Sequence, residues 1–108
     1  MQVISKLSKR SALHARLISW AAFNNAKWCS IVCQANCAPG VFGHQAWYSN
    51  AKVPIYYPNI VTLKASCSSQ FVESINEKIL SKASLKDSFD TLQLPVSKYE
   101  KLFDGKWF

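Results

Sequence analysis

The stretch of sequence that decides the fold is residues 11–40, SALHARLISWAAFNNAKWCSIVCQANCAPG. It contains no Pro or Gly before its last two residues, and its large apolar residues recur every three or four positions, as in a helix. The positions that step by three or four near one stripe are Leu13, Leu17, Trp20, Phe23 or Asn24, Trp28 and Ile31. Ser11 suits the N-cap position, and Ala-Pro-Gly at 38–40 ends the helix. The sequence predicts a long helix from residue 11 to about residue 37, with Asn24-Asn25 as the point where it could break.

Three of the four cysteines, Cys29, Cys33 and Cys37, lie four residues apart within this stretch. On a continuous helix the outer two would be about 12 Å apart along the axis, whereas ligands of one zinc ion need sulfurs within about 4 Å of each other. We therefore expect no metal site and a helix face that packs against the core, with Cys29 as supporting core. A pair formed by Cys33 and Cys37 and completed by His44 or Cys67 is the remaining alternative.

The rest of the chain predicts an α+β fold. An irregular, aromatic-rich connection over residues 38–58 leads to a strand at 59–64, and a second helix begins after Ser68 or Ser69. Residues 85–95 are a short helix or a loop with an extended end, 96–103 a third helix, and 106–108 a strand. The expected architecture is a long N-terminal helix, a small two- to three-stranded sheet and two further helices. Residues 1–10 are expected to be a flexible lead-in, and 11–108 a single domain.

The net charge of +7 comes entirely from residues 1–72, which contain no acidic residue. Such a surface can meet nucleic acid or an anionic membrane, although scattered cations are also common on ordinary surfaces. No apolar run is long enough to span a membrane, and we expect a cytoplasmic location. No nucleophile, phosphate-binding or metal-hydrolase motif is present. Of the two histidines, His44 is the weak candidate for an acid–base group, and the sequence identifies no Ser or Asp partner for it.

Four residues are candidates for ligand binding: Asn25, Trp47, Tyr57 and Asn59. Helix interiors disfavour Asn, so Asn25 needs defined hydrogen-bond partners or serves recognition. Aromatic rings near lysines can stack on bases or on a flat ligand. Aromatic side chains in a Pro-containing loop also commonly form a lid over the core.

Several longer segments carry a resemblance: SWAAFNNAKWC at 19–29, Trp47, PIYYPNIVTL at 54–63, LKDSFDTLQL at 85–94 and KLFDGKWF at 101–108. Together they resemble the N-terminal part of bacterial GNAT-like (acetyl-CoA-dependent) acetyltransferases, over roughly residues 15–108. The resemblance implies that the cofactor-binding half follows these segments. Its Gly-rich pyrophosphate turn has no counterpart here, because glycine occurs only at 40, 43 and 105.

These observations predict a non-enzymatic recognition module related to the front half of a GNAT-like protein, with an unknown ligand and no cofactor of its own. One alternative is a basic protein that binds nucleic acid or an anionic surface, with nucleic acid the less favoured partner. The other is an acetyltransferase whose acetyl-CoA site is completed by a partner chain or by a homodimer joined at the C-terminal strand edge. We expect no activity from the isolated chain.

Overall fold

The structure, a computed structural model, describes residues 2–6, 12–79 and 83–105. Its elements, in chain order, are β1 (Gln2–Lys6), α1 (Ala12–Ala35), β2 (Val41–Phe42), β3 (Ala46–Tyr48), β4 (Ile60–Thr62), α2 (Ser69–Asn76), β5 (Ser84–Asp87) and β6 (Glu100–Gly105). The fold is α+β, as expected, and it contains the predicted long N-terminal helix.

Helix α1 runs unbroken through Asn24-Asn25. The side that packs against the sheet carries small residues and thiols at steps of three or four: Ile18, Ala22, Ala26, Cys29 and Cys33. The stripe of larger apolar residues identified from the sequence is exposed instead. Small side chains on the packing side allow a close approach of helix and sheet, so α1 is apolar on two sides.

The sheet is larger than the expected two or three strands. Six strands lie in the order β2-β3-β4-β5-β1-β6. Strands β4, β5, β1 and β6 are parallel, whereas β3 pairs antiparallel with both β4 and β2. The expected flexible lead-in over residues 1–10 is wrong for Gln2–Lys6, because β1 lies between β5 and β6. Val3 is buried and aligned with Leu85 of β5. The sequence did not predict β1 because a strand of five residues shows little periodicity and its partner strands are distant in sequence.

The two faces of the sheet are covered by different helices. Trp47 and Val61, which are paired across β3 and β4, pack with α1 residues. Their chain neighbours Ala46 and Ile60 point to the other face, where Val72 and other apolar residues of α2 cover them. The molecule is therefore a three-layer arrangement with the sheet in the middle.

Helix α2 begins as predicted, because the Ser68 hydroxyl accepts a hydrogen bond from the Phe71 N–H at 3.1 Å. The predicted strand at 59–64 is confirmed as β4. The expected third helix over 96–103 is wrong: a turn held by the Pro95 carbonyl, which accepts from the N–H groups of Lys98 and Tyr99, leads into β6. An eight-residue helix is marginal alone, whereas β6 pairs with all five residues of β1, with one irregularity in register between Val3 and Ile4.

Of residues 85–95, predicted to be a short helix or a loop with an extended end, 85–87 belong to β5, and 88–95 form a turn and an irregular segment, as in the loop alternative. The strand predicted at 106–108 lies outside the described residues. Neither of the helices described here is both long and apolar enough to cross a membrane.

Candidate functional site

A surface cavity of about 200 Å³ lies beside the loop that joins β3 to β4. Residues 53–57 line it, together with Asn59, Ala83 and Ser84. It brings together two of the four predicted binding residues, Tyr57 and Asn59. They meet because the loop folds back over the start of β5, where the Ser84 hydroxyl donates to the Tyr57 carbonyl at 3.3 Å.

Asn59 builds the floor of this cavity. Its side-chain amide donates to the carbonyls of Ser49 at 3.0 Å and Ala51 at 2.9 Å, and its Oδ1 accepts from the Ser84 N–H at 3.4 Å. Its backbone N–H also donates to the Ser84 carbonyl at 2.9 Å. Both donors of the amide are therefore used within the protein, and Asn59 fixes the loop against β5.

The outer wall of the cavity is a turn over residues 54–57, closed by the Tyr57 N–H donating to the Pro54 carbonyl at 3.1 Å. Tyr56 occupies its third position with φ of 72°, in the left-handed region where Gly or Asn is preferred. The Tyr56 side chain is 93% exposed, and Ile55 beside it is exposed as well. A bulky residue held in this conformation costs roughly 1–2 kcal/mol, and such strain is concentrated at functional sites.

Trp47 lies beneath this region and does not line the cavity. It is fully buried and packs against Gly40, where an added Cβ would lie 2.5 Å from Cζ2 of the indole ring. Tyr57 packs on the cluster that contains Trp47. Trp47 therefore supports the cavity wall from the core.

Asn25 lies elsewhere, on the side of α1 that approaches β5. Its Oδ1 accepts a hydrogen bond from the Lys86 Nζ at 2.8 Å. This contact supplies a defined partner for a polar residue inside a helix and joins α1 to the middle of the sheet. Asn25 does not line the cavity beside residues 53–57.

The buried-helix interpretation of the cysteines is confirmed for Cys29 and Cys33, whereas Cys37 lies beyond the end of α1 and is exposed. Burial raises the pKa of Cys29 and of Cys67 to about 11, and it raises the pKa of Cys33 as well. These three thiols stay protonated at neutral pH. Among the described residues, no three His, Cys, Asp or Glu side chains are grouped to hold a metal ion.

A second cavity, of about 400 Å³, opens at the carboxyl ends of β4 and β5. It is lined by Ala15 and Ser19 of α1, by residues 63–66 and by Phe89. Parallel α/β sheets bind ligands at this end of their strands. Lys64 contributes the one cation among the lining residues that the structure describes. The sequence did not reveal this cavity because it depends on the strand order, although Lys64 as the last residue of the predicted strand was a usable signal.

Comparisons with protein-family models, curated proteins and solved structures gave no match to this chain.

Proposed function

We propose that this chain is a non-enzymatic recognition module whose ligand binds in the cavity beside residues 53–57. The observation that carries the proposal is the exposed Tyr56, held with φ of 72° at the rim of that cavity. The turn fixes the backbone of Tyr56, and a Tyr side chain has only two χ angles to order on binding, which makes it a favourable anchor.

The chemistry of the lining supports recognition rather than catalysis. Among the described residues, the lining consists of apolar and aromatic side chains with Asn59 and Ser84, and it includes no carboxylate, imidazole, amine or thiol. The amide of Asn59 is already engaged by the protein. A cavity of about 200 Å³ accommodates one apolar or aromatic side chain, so we infer that the ligand is a peptide segment presenting such a group.

A random-peptide display library selected against the whole chain tests the proposal. We expect enriched peptides to carry an apolar or aromatic residue, and Tyr56→Ala to weaken their binding about tenfold in calorimetry. Val96→Ala is the matched control, because Val96 is equally exposed, at 93%, and does not line the cavity. Peptides that bind the Tyr56→Ala variant as tightly as the unchanged chain, or a library that yields none, would contradict the proposal.

A second candidate function, binding of an anionic ligand or surface, is favoured by the cavity at the carboxyl ends of β4 and β5. Lys64 lies at that cavity, and residues 1–72 carry no acidic residue. We expect a single-stranded oligonucleotide to bind more weakly as salt rises, and Lys64→Ala to reduce the slope of log K against log salt by about one. Lys52→Ala, which removes another exposed lysine, is the control; equal effects of both variants would argue against a site at Lys64.

Kinship with the front half of GNAT-like acetyltransferases stays a prediction from the sequence motifs. The alternative in which a partner chain completes the acetyl-CoA site depends on residues 106–108, which lie outside the described ranges. Calorimetry with acetyl-CoA distinguishes this alternative from the recognition module, since only the completed enzyme is expected to release heat on binding acetyl-CoA.

A further inference from the structure

Helix α1 presents a second apolar side to solvent. Leu13, Leu17, Trp20, Trp28 and Ile31 are each between 49% and 64% exposed. At about 100° per residue they lie roughly half a turn around the helix from the packing residues Ala22, Ala26 and Cys33. A helix that is apolar on both sides is ordinarily covered on both sides. The outer residues Leu17, Trp20, Asn24, Trp28 and Ile31 are called the outer stripe below.

The outer stripe is symmetric about Asn24. Trp20 and Trp28 each lie four residues from Asn24, and Leu17 and Ile31 each lie seven residues from it. A two-fold interface requires that a surface be complementary to itself, so that residue i meets residue j and j meets i. Two antiparallel copies of α1 with their axis at Asn24 satisfy this requirement: each Trp20 meets the partner's Trp28, and each Leu17 meets the partner's Ile31.

The central Asn24 suits such an axis. A carboxamide carries both donors and an acceptor, so two of them related by a two-fold axis can bond to each other. A single Asn in an otherwise apolar helix seam fixes the register of pairing, at some cost in stability. Leu or Ile at the same position would leave the register less defined.

The charges of α1 favour the antiparallel arrangement of two copies. The helix carries no acidic residue, and its cations Arg16 and Lys27 lie beside the outer stripe. About the Asn24 axis, Arg16 lies opposite the partner's Val32 and Lys27 opposite the partner's Ala21. Parallel pairing would instead set each cation against its own copy, which is repulsive.

We propose that the outer stripe of α1 is a homodimer interface in which two copies of this chain pair antiparallel about a two-fold axis at Asn24. The interface is separate from the strand edge at residues 106–108 and does not depend on the ligand of the cavity beside residues 53–57.

Sedimentation equilibrium of the whole chain is the first test, with a dimer of twice the 12.2 kDa chain mass expected. Trp20→Glu combined with Trp28→Glu places like charges across the axis and is expected to give a monomer. Trp20→Glu combined with Trp28→Lys places opposite charges across the axis and is expected to keep the dimer. Both tryptophans are exposed, so circular dichroism should show that each variant retains its fold.

Disulfide trapping tests the register. In a Cys37→Ser background, Asn24→Cys places the new thiols at the axis, whereas Leu13→Cys places them about 33 Å apart. We expect oxidation to crosslink the Asn24→Cys variant at least about tenfold faster than the Leu13→Cys variant, since a disulfide needs Cα atoms within about 7 Å. Equal rates would overturn the antiparallel register.

A chain that sediments as a monomer at every concentration overturns the proposal. A monomer that binds vesicles of phosphatidylserine and phosphatidylcholine through the two tryptophans would do so as well, and it would identify the outer stripe as a membrane-binding surface.

Discussion

Buried polar side chains determine how the loops of this protein lie on its sheet. Asn59 is the main example, because its one amide joins residues 49–51 to the first residue of β5. Ser49 adds a second hydrogen bond between loops, because its hydroxyl donates to the Pro39 carbonyl at 2.9 Å. Each such hydrogen bond contributes about 1 kcal/mol, but a buried carbonyl that loses its donor costs more.

Asn59→Asp is expected to lower the free energy of unfolding by on the order of 3 kcal/mol. The substitution replaces the amide nitrogen with an oxygen that faces the carbonyls of Ser49 and Ala51. Urea unfolding followed by circular dichroism measures the effect. Asn50→Asp, at an exposed position in the same loop, serves as the control and is expected to change stability by less than about 0.5 kcal/mol.

Thiol reactivity gives a second prediction for single residues. Because Cys29, Cys33 and Cys67 are buried with raised pKa values, we expect a disulfide reagent such as DTNB to titrate only Cys37 in the native chain at neutral pH. All four thiols should react in denaturant. Cys37→Ser should leave no fast-reacting thiol, and a fast phase in that variant would contradict the burial of the other three.

The elements differ in how far their own sequence determines them. Helix α1, helix α2 and strand β4 were predictable because caps, periodicity and β-branched residues act locally. Strands β5 (SLKD) and β6 (EKLFDG) were not predictable, because neither shows a sustained alternation of apolar and polar residues and both pair with β1, which is distant in sequence. In β5, Leu85 faces the α2 side of the sheet, and Lys86 faces the α1 side, where it donates to Asn25. This hydrogen bond accounts for a lysine in an interior strand, where lysine is otherwise disfavoured.

The loop that connects α1 to the β2–β3 hairpin packs against Trp47, so we expect an added methyl group at Gly40 to lower the stability of the protein. A Cβ there would lie 2.5 Å from the Trp47 ring, which is buried and cannot move away. Gly40→Ala should therefore reduce the free energy of unfolding by about 1–3 kcal/mol. Gly43→Ala is the matched control, since its nearest neighbour is the Ala46 carbonyl oxygen at 3.1 Å. Equal losses of stability in the two variants would contradict this packing account.

At the scale of the whole molecule, the candidate sites depend on topology to different degrees. Tyr57 and Asn59 line one cavity partly because they are near in sequence, so a local pattern could find them. The cavity at Lys64 exists only because β4 and β5 are parallel neighbours with α1 above them, and a chain read without its strand order does not show that. The hydrogen bond from Lys86 to Asn25 joins residues that are 61 positions apart, so it could be found only from the three-layer packing.

The pH dependence of global stability should report on Asp87, which is buried at the end of β5. Burial raises the pKa of this carboxyl above its usual 3.8, against the opposing effect of N–H donors from Leu92 and Thr91. The folded state therefore favours the protonated form. This contribution to stability is fully present below pH 3.8 and is lost as the pH rises through the folded-state pKa.

We therefore expect the unfolding free energy of the unchanged chain to fall relative to that of Asp87→Asn as pH rises from about 3 toward neutrality. Chemical denaturation at several pH values measures it. If the unfolding free energy of the unchanged chain instead rises relative to that of Asp87→Asn with rising pH, the N–H donors outweigh burial and the ionised carboxylate is the stabilised form.

The interior position of β1, between β5 and β6, has a consequence for biosynthesis. A ribosome makes Val3 about eighty residues before Leu85, its neighbour in the sheet, and the strand on the other side, β6, comes later still. At about 5–20 residues per second, the nascent β1 waits for several seconds without either neighbour. The hairpin and β4 can assemble on α1 during that interval, but the sheet is complete only after translation has passed Gly105. A ribosome stalled before β6 would therefore hold a chain in which β1 is unpaired on one side.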